Sequence, residues 1–260
     1  MARVYPLFSS SKGNCFFFGT PESGIIIDCG VSCKRICGAL TANGIPLSAV
    51  MGVFITHTHA DHISGLRVFL KKTGVPVYAQ QTNLDILRDK DLLGENLSCA
   101  VDGGSPVKLG GFEITHFRTP HDTPASCGYR VRFPDGKTAA LCTDSGHITD
   151  EIRGGIGGAE LVVLESNYDP DMLRDGGYPP DLKMRIRSDC GHLSNVQCGE
   201  MLVRLAKNGT RTFVLAHISP ENNTPELAVR SAISALSPLE NLKDYLLYAA
   251  PMEGGGAIVF

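Results

Sequence analysis

The chain has 260 residues, 43% of them hydrophobic and 20% charged. That is the make-up of a globular protein, and it excludes a disordered tail or a coiled coil. The formal net charge is −3, from 24 basic and 27 acidic residues, so a polyanion could be held only by a local basic patch. No apolar run approaches the ~20 residues of a membrane span, and the start Met1–Pro6 lacks the apolar stretch of a signal peptide. The expectation is one cytoplasmic domain over residues 1–260, with no membrane association and no obligate protein partner.

In chain order, apolar runs predict strands at 15–18 and 24–28, a helix at 32–43, a strand at 50–56, a helix at 64–73, a strand at 75–79 and a helix at 81–93. Strands follow at 112–117, 127–133, 138–143 and 161–165, then a helix at 194–208, a strand at 212–216, a helix at 224–237 and a strand at 246–250. Two helix starts are well marked: Ser194 with Gln197 forms a capping box, and Pro225 follows Thr224 at the first helical position. The stretch 97–143 is strand-dominated, with mixed elements on either side, so the chain reads as an α/β protein whose sheets are covered by helices on their outer faces. Nine cysteines occur without a Cys-x-x-Cys pair. Cys29, Cys33 and Cys37 recur every four residues, which would place them on one helical stripe. They read as buried thiols in a reducing compartment rather than as a metal cluster.

The chemistry concentrates where the predicted strand 50–56 ends. His57, His59, Asp61 and His62 fall within six residues, a density of imidazole that core packing cannot satisfy. Alternation along the chain separates His57 and His59 from Asp61 and His62, so one pair can hold one metal ion and the other pair can turn toward a second. Two ions need further donors. Asp144 ends the strand before Ser145–Gly146, and its two oxygens could bridge two cations or merely cap a turn. His121 follows Pro120 in a loop, with His116, inside the preceding strand, as the alternative ligand. His217 ends another strand. His147 reads as a surface or helix-start residue.

His57-x-His59-x-Asp61-His62, followed by His121, Asp144 and His217, resembles the metallo-β-lactamase fold superfamily, with Asp28 matching its first motif as a carboxylate behind the ligands. The resemblance implies an αββα sandwich with four layers and a dinuclear site at one edge of the sheets. Further segments, among them Ser9–Asn14, Thr119–Asp122, Glu165–Asp169, Gly177–Pro179, Leu182–Ile186, Gly191–Asn195 and Ala216–Asn223, are similar to the YycJ/WalJ family of bacterial metal-dependent nucleases. Tyr168 departs from the histidine that the family often carries. By resemblance, His57, His59 and His121 hold one ion, Asp61, His62 and His217 the other, and Asp144 bridges them. Zinc suits these nitrogen and oxygen donors best, with manganese or iron nearly as suitable. Two ions about 3.5–4 Å apart would share a water and lower its pKa, giving a bridging hydroxide as nucleophile.

Several residues bear on the substrate. His192 precedes the capped helix that begins with Ser194 and Asn195, where backbone amides favour phosphate oxygens, and it could protonate a leaving oxygen or stabilise charge. Lys183, Arg185 and Arg187 alternate with apolar residues and, if extended, would share one face along a phosphate backbone. Lys12 and Asn14 could touch phosphate from the loop 9–14. Arg67, Lys71 and Lys72 form another basic patch. The expected activity is hydrolysis of nucleic-acid phosphodiesters, with 5′-to-3′ exonuclease action on duplex DNA as the resemblance implies. The alternatives are a small-molecule hydrolase acting on a cyclic phosphodiester or thioester, a redox diiron protein (disfavoured by histidine at position 59), and a metal-binding regulator without turnover.

Overall fold

A computed structural model describes all 260 residues. The chain opens with strands β1 (Arg3–Phe8), β2 (Cys15–Gly19) and β3 (Gly24–Ile27), then helix α1 (Cys33–Ala42) and β4 (Val50–Phe54). Next come α2 (Ala60–Ile63), α3 (Leu66–Thr73), β5 (Val77–Ala79), α4 (Gln81–Asp89) and β6 (Ser98–Ala100). The second half runs β7 (Val107–Leu109), β8 (Phe112–Arg118), β9 (Cys127–Arg132), β10 (Thr138–Cys142), α5 (Asp150–Ile156) and β11 (Leu161–Glu165). It ends with α6 (Pro170–Asp175), α7 (Pro180–Arg187), α8 (Asn195–Lys207), β12 (Thr212–Ala216), α9 (Pro225–Leu236), β13 (Leu246–Ala249) and β14 (Ile258–Val259).

Two seven-stranded sheets result, in the orders β14-β1-β2-β3-β4-β5-β6 and β13-β12-β11-β10-β9-β8-β7. Each is half antiparallel and half parallel: β3 to β6 run parallel in the first, β10 to β13 in the second. Alternation of side chains across the strands explains the layering. Phe16, Phe18, Ile25 and Phe54 meet Tyr129, Leu141, Val163 and Val214 between the sheets. The opposite faces of the same strands, through Phe17, Ile26 and Val53, pack under Ile36 and Leu40 of α1 and Leu66 and Phe69 of α3. On the far side, Val162, Leu164, Phe213 and Leu215 pack under Leu202 and Leu205 of α8 and Ala228 of α9. Helix, sheet, sheet and helix make the four layers expected. No helix is long and apolar enough to cross a membrane.

The structure adds elements that the apolar pattern did not announce. β1 carries Pro6 within a strand, and its register with β2 shifts between Pro6 and Phe8, where the missing amide is tolerated. α6 and α7 are short and start on Pro170 and Pro180. The segment 182–187, expected to be extended, is the body of helix α7, so Lys183, Arg185 and Arg187 do not share a face by alternation. The cysteine stripe is also shorter than expected. Cys33 and Cys37 face one another on α1 with sulfurs 3.8 Å apart, whereas Cys29 precedes the helix and sits in the core. All nine thiols are free.

Candidate metal centre

The parallel strands end on one rim of the sandwich, the place where ligands bind in open α/β sheets. Asp28 follows β3, His57 and His59 follow β4, Asp61 and His62 lie in α2, Asp144 follows β10, Glu165 ends β11 and His217 follows β12. Asp28, Asp144 and His217 adopt φ values of 63°, 58° and 53°. This left-handed backbone costs a non-glycine residue of order 1–3 kcal/mol, and it persists where surrounding structure over-determines it. Here it turns each chain sharply off its strand. Close backbone approach completes the frame: a Cβ on Gly30 would lie 1.7 Å from the Asp61 carbonyl, so the turn after β3 can press against the histidine motif only with glycine there.

Six of the eight histidines gather at this rim, and for five of them the protein fixes the tautomer. The Thr56 hydroxyl donates to Asp28 Oδ2 (2.9 Å), so it can only accept from His57 Nδ1 (3.0 Å). His62 Nδ1 donates to Asp28 Oδ2 at 2.7 Å. His121 Nδ1 donates to the Gly191 carbonyl at 3.1 Å. His192 and His217 each donate through Nδ1 to Glu165 Oε1, both at 2.8 Å. With Nδ1 committed to these partners, each ring when neutral carries its lone pair on Nε2, the arrangement that carboxylate and carbonyl partners impose on metal-binding imidazoles. His59 differs: its Nδ1 lies 3.3 Å from His121 Nε2.

The donor atoms converge in overlapping groups that could hold a metal ion. His57, His59 and His121 form one, Asp61, His62 and His217 a second, and His57, His62 and Asp144 a third, each with donor atoms within 4.8 Å of one another. Asp144 Oδ2 is 3.3 Å from His62 Nε2, and Asp144 Oδ1 is 3.7 Å from His121 Nε2. Thus Asp144 stands between the first two groups. A fourth group joins Asp144, Glu165, His192 and His217, but Glu165 is already saturated. It accepts from both imidazoles and from the amides of Ser145 (3.2 Å) and Leu193 (2.9 Å). It therefore works as an orienting hub.

The electrostatics agree with a cation site. His57 Nε2, His217 Nε2 and Asp144 Oδ2 are buried without a hydrogen-bond partner, which is costly unless a ligand completes them. Burial and the neighbouring imidazoles hold His57 well below its ordinary pKa, so it is neutral and able to ligate. Burial opposes protonation of His62 and His217, yet the carboxylates outweigh it. Asp144, Asp28 and Asp61 hold His62 well above its usual value, and Asp144, Asp61 and Glu165 push His217 up to about 10. The cluster thus carries more carboxylate charge than its own side chains neutralise, and protons on these rings stand where divalent charge would go. The residues fit a divalent metal.

The other sequence candidates are placed as follows. His116, in β8, faces Asp102 at 3.6 Å, and His147 is exposed; both lie outside the donor groups. Asn14 is wholly buried rather than open to a substrate, with Nδ2 3.1 Å from His62 Nε2. Ser194 and Asn195 are also closed off. Ser194 caps α8, and the Asn195 amide is taken up by Ser166 and Asn223. Lys12 is exposed and pairs with Glu221 at 3.4 Å. Lys183 donates to the Arg174 carbonyl, Arg185 is held by Asp122, and Arg187 is exposed. Sequence reasoning gave Glu165 no role. The signal was a lone carboxylate closing an otherwise apolar strand.

Two buried sheets whose strand ends share such a rim define the metallo-β-lactamase fold. Residues 24–218 match the family described as "Beta-lactamase superfamily domain". The chain is 34% identical over 234 residues to the exodeoxyribonuclease WalJ of Streptococcus pneumoniae, covering 89% of this chain and 87% of that protein. It is 34% identical over 233 residues to the exodeoxyribonuclease YycJ of Bacillus anthracis, covering 88% and 87%. Among solved structures, the metallo-β-lactamase fold protein YhfI from Bacillus subtilis superposes with a TM-score of 0.76 at 17% identity, over the full length of both chains. The chain belongs to the metallo-β-lactamase-fold superfamily and, within it, to the WalJ/YycJ family of hydrolases.

Proposed function

We propose that this protein is a dinuclear metal-dependent exonuclease that hydrolyses phosphodiester bonds of DNA, working as a single domain on duplex ends in the 5′-to-3′ direction. The nature of the relatives supports DNA as substrate. The observation that carries the chemistry is the shared Glu165 carboxylate, which sets His217 as a ligand and His192 as a proton donor from the same oxygen.

In this reading His57, His59 and His121 hold one cation, Asp61, His62 and His217 hold the other, and Asp144 lies against both. Zinc is the best match to these nitrogen and oxygen donors, with manganese or iron close behind. When bound, such cations neutralise charge on a phosphodiester and bring the pKa of water toward neutrality. His192 does different work. Its ring lies 5.2 and 5.3 Å from those of His121 and His217, and it keeps partial exposure while the ligands behind it do not. With Nδ1–H committed to Glu165, only Nε2 can deliver a proton to the leaving oxygen or steady the charge that develops on phosphorus. Asp28 and Asn14 keep His62 in place.

The test is a metal-reconstituted assay on end-labelled duplex DNA, single-stranded DNA, RNA and bis-p-nitrophenyl phosphate. Stepwise release of nucleotides from the 5′ end of duplex DNA is expected. Turnover of the small diester alone would replace this reading with that of a small-molecule phosphodiesterase.

A further inference from the structure

Beside the metal centre lies a recess of about 140 Å³, lined by Ser11, Asn167, Tyr178, Arg185, His192 and Ser219, among others. It is well below the roughly 300–1,000 Å³ of a drug-sized pocket, so it suits a phosphate and little more. Two of its lining residues are already engaged with each other: the Arg185 guanidinium, on α7, binds the Asp122 carboxylate through Oδ2. The other oxygen of Asp122 does not point away. Oδ1 lies 3.4 Å from His121 Nε2, the nitrogen that ring offers to the centre, and 3.6 Å from His59 Nε2. An anionic oxygen thus stands at the ligand-facing nitrogen of His121 and beside the His59 ring, held there by a cation on a separate helix.

We infer that Asp122 is a placeholder for a substrate phosphate, and that Arg185 exchanges the Asp122 carboxylate for that phosphate when substrate binds. This rests on the phosphodiesterase reading above and assigns Arg185 the role of phosphate holder. A planar guanidinium serves carboxylate and phosphate oxygens by the same two-pronged geometry. The exchange keeps Arg185 paired with an anion throughout and releases the Asp122 carboxylate. α7 is suited to the motion, since Arg185 and Arg187 are exposed and only Ile186 of the helix is buried. It is also coupled to the chemistry. The His192 amide donates to the Ile186 carbonyl at 2.9 Å, and a Cβ on Gly191 would lie 2.2 Å from that same oxygen. A shift of α7 onto phosphate therefore bears on His192 directly.

The experiment measures inorganic phosphate binding by calorimetry to manganese-loaded wild type, Asp122→Asn, Arg185→Ala and Arg185→Lys, alongside metal content and melting temperature. Removing the competing carboxylate should tighten phosphate about tenfold. Losing charge-assisted hydrogen bonds from Arg185 should weaken it roughly 10–100-fold, with lysine recovering part. In turnover of bis-p-nitrophenyl phosphate, Asp122→Asn should lower KM and Arg185→Ala should raise it, each with a smaller change in kcat. A clamp that only braces α7 would make both variants err in the same direction, which would overturn the proposal. So would loss of metal from Asp122→Asn, which would make Asp122 a ligand. If wild type degrades DNA but neither variant alters phosphate affinity, this inference alone falls. If the opposed phosphate shifts are seen in a protein inert on DNA, the exchange stands and the nuclease reading falls.

Discussion

At the ends of β4, β10 and β12, His57, Asp144 and His217 are buried at 0–1% exposure and are seated among carboxylates and imidazoles contributed by both sheets. Across the recess, α6 and α7 rest on a satellite cluster of three buried side chains, Tyr168, Leu173 and Ile186, with Tyr178 and Leu182 packed beside them. The first region is built like an interior and the second like a surface. Left-handed strand ends can be maintained only where several layers of core hold them, whereas a cover that, on the proposed reading, admits a polymer end gains from shallow anchoring. Metal binding and substrate selection should therefore fail separately.

The largest effect belongs to the buried rim. Asp144→Ala or His121→Ala should abolish hydrolysis, a loss beyond ~10³-fold in the phosphodiester assay, because Asp144 is a donor shared between groups and His121 completes the group of His57 and His59. His116→Ala and His147→Ala should change turnover only slightly. The reverse pattern would mean that the wrong histidine completes the centre.

His192 stands at the border of the two regions. His192→Ala should keep its metal yet lose about 10²–10⁴-fold in turnover on DNA, the usual range for a missing acid or charge stabiliser. With a p-nitrophenyl leaving group, which needs little protonation, the loss should shrink. An equal loss on both substrates would favour charge stabilisation over proton delivery.

Leu173→Ala probes the cover alone. Opening a cavity under a buried leucine costs about 2–5 kcal/mol, and with so small a cluster it should be felt as local loosening. Hydrogen exchange should quicken across α6 and α7 while β11 and β12 stay protected, KM for DNA should rise, and metal content should stay constant. Loss of metal from this variant would show that the two regions are one cooperative unit.

A smaller effect comes from pH. His62 and His217 are held above their ordinary values by neighbouring carboxylates, His217 at about 10. A raised pKa in the folded state adds stability that is complete below the unfolded value of ~6.5 and is lost as pH rises through the folded one. Chelator-treated protein should thus melt at progressively lower temperature from pH 7 to 10. The gain in melting temperature on adding metal should grow over the same window, since fewer protons have to be displaced. A metal-induced gain that shrinks with rising pH would contradict the arrangement.

The strand-end half of this comparison was readable in the sequence because apolar runs that stop abruptly at His57, Asp144 and His217 announce both the strand and the turn. Glu165 escaped because it ends its strand inside a run with no neighbouring histidine; its partners, His192 and His217, come from 27 and 52 residues further on. The α7 segment was misjudged for another reason. Alternating Lys-Met-Arg-Ile-Arg mimics a strand, and the helix is declared instead by Pro180 at its start and by the burial of Ile186 alone. Asn14, Ser194 and Asn195 looked like substrate contacts because polar residues near a site resemble a binding surface, and only packing shows that they are the frame.

The most direct test of the central claim, that paired strand ends and the Glu165 hub form two neighbouring cation sites, is the metal content of the purified, reconstituted protein. We expect two ions per chain in wild type, about one in His217→Ala with the His57, His59 and His121 group still filled, and a 10–100-fold weaker second site in Glu165→Gln, the usual cost of losing an orienting partner. One ion in wild type, or two retained tightly in both variants, would contradict it.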